Sequence, residues 1–368
     1  MSLQLKVKKV PFLDLRVPLE ERKSLLQAVD QVFQHGRFIL GPEVTELEVA
    51  IAKYCGRKFA VGVGSGTDAL FLGLKGLGIG PGDEVITTSL SWIATTNAIA
   101  MTGADVVFAD IRDDLNIDPA SVERLITPKT KAILPVHYTG KMCDMNALMA
   151  IAKRHGIAVV EDAAQAFGSS LHGKVAGSFG TVSCFSMNPM KVFAACGEAG
   201  MILTDSEEIH QRLIPLRYNG TINKERCIAP SMNCRLDTIQ AAMLLRRLAG
   251  VDEIVLKRRE VAKVYDRRLT SVVRKPVEKA GERDIYYTYQ IQTSRRDELK
   301  QFLEEVGIET KIQHPFLMCQ QPPYQKYLRQ PVPKAEKLVQ EILCLPMHEK
   351  LTEAELDHVI ESIHLFFS

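Results

Sequence analysis

DMNALMAIAKRHGIAVVEDAAQ, residues 144–165, decides the fold. A helical pattern over 144–155 runs into a short apolar segment, IAVVED (157–162), and that segment ends in two carboxylates, Glu161 and Asp162. The same texture recurs on both sides. Short apolar runs fall at 60–64, 84–88, 105–110, 131–137, 181–186 and 200–205, with helical stretches at 68–77, 93–102 and 119–126 between several of them. Short hydrophobic strands alternating with helices predict an α/β fold around a mostly parallel central sheet. The last two runs are joined by a short loop rather than a full helix crossover, which allows an antiparallel or irregular pairing there.

Two helices are expected ahead of the sheet, at about 20–35, ending at Gly36, and at 43–54. A long helical pattern begins near Asp237. After Leu269 come a strand pattern at 286–293, a helix in DELKQFLEEVG and a closing helix in TEAELDHVIESIHLFF. This divides the chain into a large domain over 1–250 and a smaller α+β domain over 251–368, with the first helix expected beside the smaller part.

The 368 residues suit such a division. Forty-six Lys and Arg nearly balance forty-four Asp and Glu, which gives no electrostatic reason to expect a nucleic-acid or membrane partner. No apolar run is long enough to span a bilayer, and no signal peptide is read at the start, so a cytosolic protein is expected. The eight cysteines form no CxxC pair, and there is no HExxH motif, so neither zinc nor a disulfide framework is expected.

Four features carry chemistry. The turn Gly62-Val63-Gly64-Ser65-Gly66-Thr67, between a strand and a helix, can bring backbone N–H groups and a helix start to an anion. Such a turn equally often serves packing alone. Asp162, at a strand's carboxyl end, is placed to hold a cationic ring nitrogen; its plain alternative is a solvated or capping carboxylate. Lys191, in SMNPMK (186–191), sits in a loop where partial burial would make its amine nucleophilic, although most lysines are solvated surface charges. Asn233-Cys234-Arg235-Leu236-Asp237 opens the long helix, with Asp237 as a cap in the plain reading.

In this order, together with PFLDL (11–15), FILGPEVTELE (38–48), GPGDEVIT, VEDAAQAFG, NCRLDTIQAA and CLPMHEKLTEAE, these segments resemble the DegT/DnrJ/EryC1/StrS family of nucleotide-sugar aminotransferases. The resemblance covers nearly the whole chain. It implies a fold-type-I enzyme dependent on pyridoxal 5′-phosphate (PLP). It also implies a homodimer with shared active sites, which moves an amino group from glutamate or glutamine to a keto-sugar on a nucleotide diphosphate. Surface glycans or glycosylated metabolites would be the destination.

By the same resemblance Lys191 is the lysine that carries PLP as a Schiff base, and Asp162 keeps the pyridine nitrogen protonated. Gln165 lies beside the ring and its phenolic oxygen, and Trp92 stacks on the ring. Gly66, Thr67 and Ser186 contact the phosphate, and Asn233 reaches it from the neighbouring subunit. His314 and Tyr324 fall where relatives place substrate loops. The family commonly has Ser-Phe-His where this chain has Ser186-Met187-Asn188, which leaves the sugar open. FILGPEVTELE and NCRLDTIQAA are closer to relatives that act at C-3 than at C-4.

Three rivals remain: an NAD-dependent oxidoreductase built on the glycine turn, a PLP-dependent sugar dehydratase of the same family, and a PLP-binding homologue without turnover. Retained Lys191 disfavours the dehydratase, in which histidine replaces that lysine. Colour separates the others. Protein purified with PLP should be yellow, and glutamate should bleach the visible band. An oxidoreductase would be colourless, and a non-catalytic binder would keep its band.

Overall fold

The computed structural model describes residues 9–269 and 272–368. Seven strands form the central sheet: β1 (Phe59–Val63), β2 (Glu84–Thr88), β3 (Asp105–Ala109), β4 (Thr130–Leu134), β5 (Ala158–Asp162), β6 (Val182–Ser186) and β7 (Gly200–Thr204). Their spatial order is β1-β7-β6-β5-β4-β2-β3. Strand β7 runs antiparallel to both β6 and β1, and the pairings from β6 across to β3 are parallel. The anticipated exception to parallel order is therefore the β6–β7 connection.

Side chains alternate across a strand, so each strand feeds two cores. Val85, Val106, Leu134, Val160 and Cys184 enter one core, with Leu70, Ala98 and Ile99 from α3 (Gly66–Gly76) and α4 (Ala94–Met101). Ile86, Val107, Ile133, Val159 and Phe185 enter the other, with Leu47 and Leu148 from α2 (Pro42–Tyr54) and α6 (Met145–His155). Burial on both faces is why these strands read as continuous apolar runs.

The same alternation separates the two carboxylates at the end of β5. Glu161 points with Val159, and Asp162 with Val160. Glu161 is fully buried and accepts from Ser183 Oγ at 2.9 Å and from the Phe179 and Gly180 N–H groups at 3.1 Å. It also pairs with His137 Nε2 at 2.9 Å. His137 Nδ1 accepts the Cys143 N–H at 3.2 Å, which makes Nε2 the donor. Burial alone would raise the Glu161 pKa, but these donors bring it down to about 2.

The smaller part pairs β8 (Tyr289–Gln292) with β9 (Ile342–Leu345), antiparallel, beneath α10 (Arg296–Glu305) and α12 (Glu353–Phe367). The short helix α11 is Pro333–Leu338. The long helical pattern is two helices, α8 (Thr238–Leu248) and α9 (Val251–Arg268), interrupted at Ala249-Gly250. The first helix, α1 (Leu19–His35), buries Ala28 and Val32 against Ala242 of α8. The segment ahead of it makes the contact with the smaller part, through a Val10–Ile308 bridge and the Phe12 N–H to Glu309. Helix α7 is Glu207–Leu216 and α5 is Pro119–Leu125. Among the described residues no helix is long and apolar enough to cross a membrane.

Glu161→Ala should cost about 3 kcal/mol in urea unfolding at neutral pH, because it strands buried donors. The folded-state pKa lies below the reference 4.5, so this contribution is present above pH 4.5 and is lost as pH falls toward about 2. Glu161→Gln should accordingly flatten the acid limb of stability relative to the parent chain.

Candidate functional site

The carboxyl ends of β5 and β6, the start of α3 and the turn after β2 converge on the face covered by α3 and α4. Asp162 closes β5. Its carboxylate accepts Thr95 Oγ1–H at 3.0 Å and the Ala164 N–H at 3.1 Å. Ser91 Oγ lies 3.4 Å from Thr95 Oγ1, so two hydroxyls in series point at the carboxylate. Burial pushes the Asp162 pKa up, against these two bonds and the nearby charge of Lys191. Such a carboxylate gains most from a cation placed against it.

Ser65 caps α3 by accepting the Asp68 N–H at 3.1 Å. The N–H groups of Gly66 and Thr67 in the first turn have no partner within a helix and so are available to an anion. Glycine is required at 66 by space: a Cβ there would lie 2.5 Å from the Cβ of Ser186 at the end of β6. The helix start and the strand end are thus in contact, and Gly66, Thr67 and Ser186 form one corner.

Lys191 follows in the loop after β6. Its N–H bonds Asn188 O at 2.8 Å, and Asn188 Nδ2 donates to Glu198 at 2.6 Å. This is the work done by the asparagine that departs from the family pattern: it fastens the loop. Lys191 is half-buried, with its ammonium 4.7 Å above the Tyr287 ring. Gln165 is buried and accepts the Thr139 N–H at 2.9 Å through Oε1.

Trp92 is 62 % exposed, a large ring with a free face beside the Asp162 end of the sheet. His314 lies 6.0 Å from it and 5.5 Å from Tyr138, ring centre to ring centre. His314 is buried with Nε2 unpartnered, and burial, then the Lys191 charge, lowers its pKa to about 3. It therefore offers a neutral imidazole.

Two further residues singled out in the sequence have partners of their own within the chain. The Tyr324 hydroxyl donates to Asn97, and its ring is buried in the core on the α3/α4 face, so it fastens its loop to α4. Asn233 is exposed and accepts from Arg235 Nε at 2.7 Å, while Arg235 stacks on Tyr218 at 4.1 Å. Thr95 and Tyr287 were missed. Thr95 lies three residues after Trp92 on the same turn into α4, a signal that was present. Tyr287 was hidden inside a segment read only as a strand.

The chain matches the DegT/DnrJ/EryC1/StrS aminotransferase family over residues 19–364. It is 41% identical over 366 residues to a "Pleiotropic regulatory protein" of Geobacillus stearothermophilus, covering 97% of this chain and 98% of that one. It is 38% identical over 369 residues to the dTDP-3-amino-3,4,6-trideoxy-alpha-D-glucose transaminase of Streptomyces venezuelae, covering 99% and 97%. The crystal structure of NtdA from Bacillus subtilis, with bound cofactor PMP, superposes with a TM-score of 0.91 at 30% identity, covering 99% of this chain and 86% of that one. With this match over nearly its whole length, the chain belongs to the DegT/DnrJ/EryC1/StrS aminotransferase family.

Proposed function

We propose that the protein transfers an amino group from glutamate or glutamine to C-3 of a keto-sugar linked to a nucleotide diphosphate, with PLP as cofactor. The observation that carries this is a buried Asp162 at the carboxyl edge of the sheet, near enough to feel the charge of Lys191 and beside a helix start open to an anion. The 3-amino sugar in the name of the Streptomyces venezuelae relative supports C-3.

The residues present fit the cofactor. A buried carboxylate suits a cationic ring nitrogen, the open ring of Trp92 suits a flat aromatic partner, and the Gly66–Ser186 corner suits a phosphate. Asp162 would hold the nitrogen protonated, Gln165 would flank the ring, and Gly66, Thr67 and Ser186 would take the phosphate. Bound PLP supplies an electron sink for the pair left on carbon when a proton departs.

Lys191 would first hold the cofactor covalently. Once released, its amine would take the proton from Cα of the donor and return one during product formation. The Tyr287 ring under the ammonium restricts where that amine points. The same residues would serve the sugar half-reaction in reverse order. His314, neutral and beside Trp92, is a wall against which the sugar would lie. We assign Tyr324 no direct contact with it.

We further propose that a second copy of the chain brings its Asn233 to the phosphate, which its exposed position supports, and that the homodimer acts in the cytosol.

Lys191→Ala should lower turnover by about a thousandfold or more while leaving the circular dichroism spectrum unchanged. Asp162→Ala should retain PLP poorly on gel filtration, and Thr95→Val should do so to a smaller degree. Assays with a panel of nucleotide-linked keto-sugars and glutamate, read by mass and NMR, should yield the 3-amino product. Full turnover in Lys191→Ala would contradict the assignment.

A further inference from the structure

A second cavity, of about 430 Å³, opens where the loops beyond β3 and β4 meet the segment leading into β8. Its walls include Arg112, Leu115, Thr139 and Lys141 on one side and Arg274, Lys279, Tyr286, Thr288 and Gln290 on the other. The sites are neighbours: the Thr139 N–H bonds Gln165, so one residue's backbone separates this cavity from the site described above.

Three observations set it apart from an ordinary seam. Leu115, Thr139 and Tyr286 adopt φ of 69°, 64° and 50°, and they are three of the eight non-glycine residues with positive φ among those described. None is an asparagine or aspartate, the residues that tolerate this region best. Backbone of this kind persists where surrounding structure enforces it, and it gathers at ligand clamps.

Second, Arg112 Nε and Gln290 Oε1 are buried without a hydrogen-bond partner, and the buried Thr288 hydroxyl has only the weak Cys344 thiol beside it. Thr288 and Gln290 are only 4 % and 3 % exposed. Buried polar atoms are rarely left so, and these three belong to residues that line the same cavity from its two sides. Two can donate and two can accept, the hydroxyl doing either.

Third, the wall's carboxylates already have partners. Asp114 pairs with Arg112 at 2.9 Å, Asp113 with Lys334 at 2.8 Å, and Asp284 lies 3.5 Å from Lys141. Arg274 donates to the neutral Gln292 Oε1 at 3.3 Å and lies 3.9 Å from Asp113, and Lys279 stands exposed, so positive charge is in surplus at the mouth.

We infer that this cavity is a binding site for a small hydroxylated anion of the sugar-phosphate kind, separate from the Lys191 site. The basic mouth suits the phosphate, and the Gln290 carbonyl and Thr288 hydroxyl suit sugar hydroxyls. The volume lies within the range of small-molecule pockets. A ligand there would bridge the two parts of the chain and stabilise the folded state by mass action.

Calorimetry on the PLP-loaded protein tests this, with glucose 1-phosphate, glycerol 3-phosphate and 3-phosphoglycerate as probes. At least one should bind saturably and raise the melting temperature. The double variant Arg274→Ala/Lys279→Ala, both at exposed positions, should weaken that binding about tenfold or more. Thr288→Val should weaken it too. In both variants PLP absorbance and the KM for the keto-sugar should stay as in the parent chain. Absence of saturable binding by all three probes up to about 10 mM overturns the proposal. Binding that neither variant alters also overturns it, because that places the probe elsewhere.

Discussion

The structure depends on what happens at the end of β5, where two adjacent carboxylates leave the strand on opposite faces. A strand has a period of two, so Glu161 and Asp162 cannot share an environment. Glu161 is surrounded by donors from His137, Ser183 and the 177–180 turn, and it is held ionised inside the fold. Asp162, one residue on, keeps only Thr95 and the Ala164 N–H, and burial raises its pKa. One carboxylate is spent on holding β5, β6 and their loops together. The other is left needing a cation. The neighbouring His137–Gly140 segment is shared by both, since His137 serves Glu161 and the Thr139 N–H serves Gln165.

Elements formed by local periodicity were legible in the sequence. The seven apolar runs are the seven strands to within a few residues at their ends, and the one connection read as a short loop without a crossover helix is the antiparallel one. What escaped needed contacts between distant residues. The first helix packs on α8 because Ala28 and Val32 meet Ala242 there, and Val10, ahead of it, pairs with the smaller part.

The site shows the same division. Asp162, Lys191, Gly66 and Ser186 follow strand ends and turns, and such positions can be read along a chain. Glu161 was read only as a neighbour of Asp162, because nothing local distinguishes a carboxylate with buried donors from one without. Tyr287, 96 positions after Lys191, reaches its ammonium only through folding. Tyr324, expected at a substrate loop by position, gives its hydroxyl proton to Asn97, a contact between residues 227 positions apart that no local pattern shows.

Everything proposed for the chemistry rests on the amine of Lys191 being the point of covalent attachment. Borohydride reduction of the PLP-loaded protein, then proteolysis and peptide mass mapping, tests that directly. The account predicts a single pyridoxyl label, on the peptide carrying Lys191. A label on another lysine, or none after reconstitution with excess PLP, would contradict it.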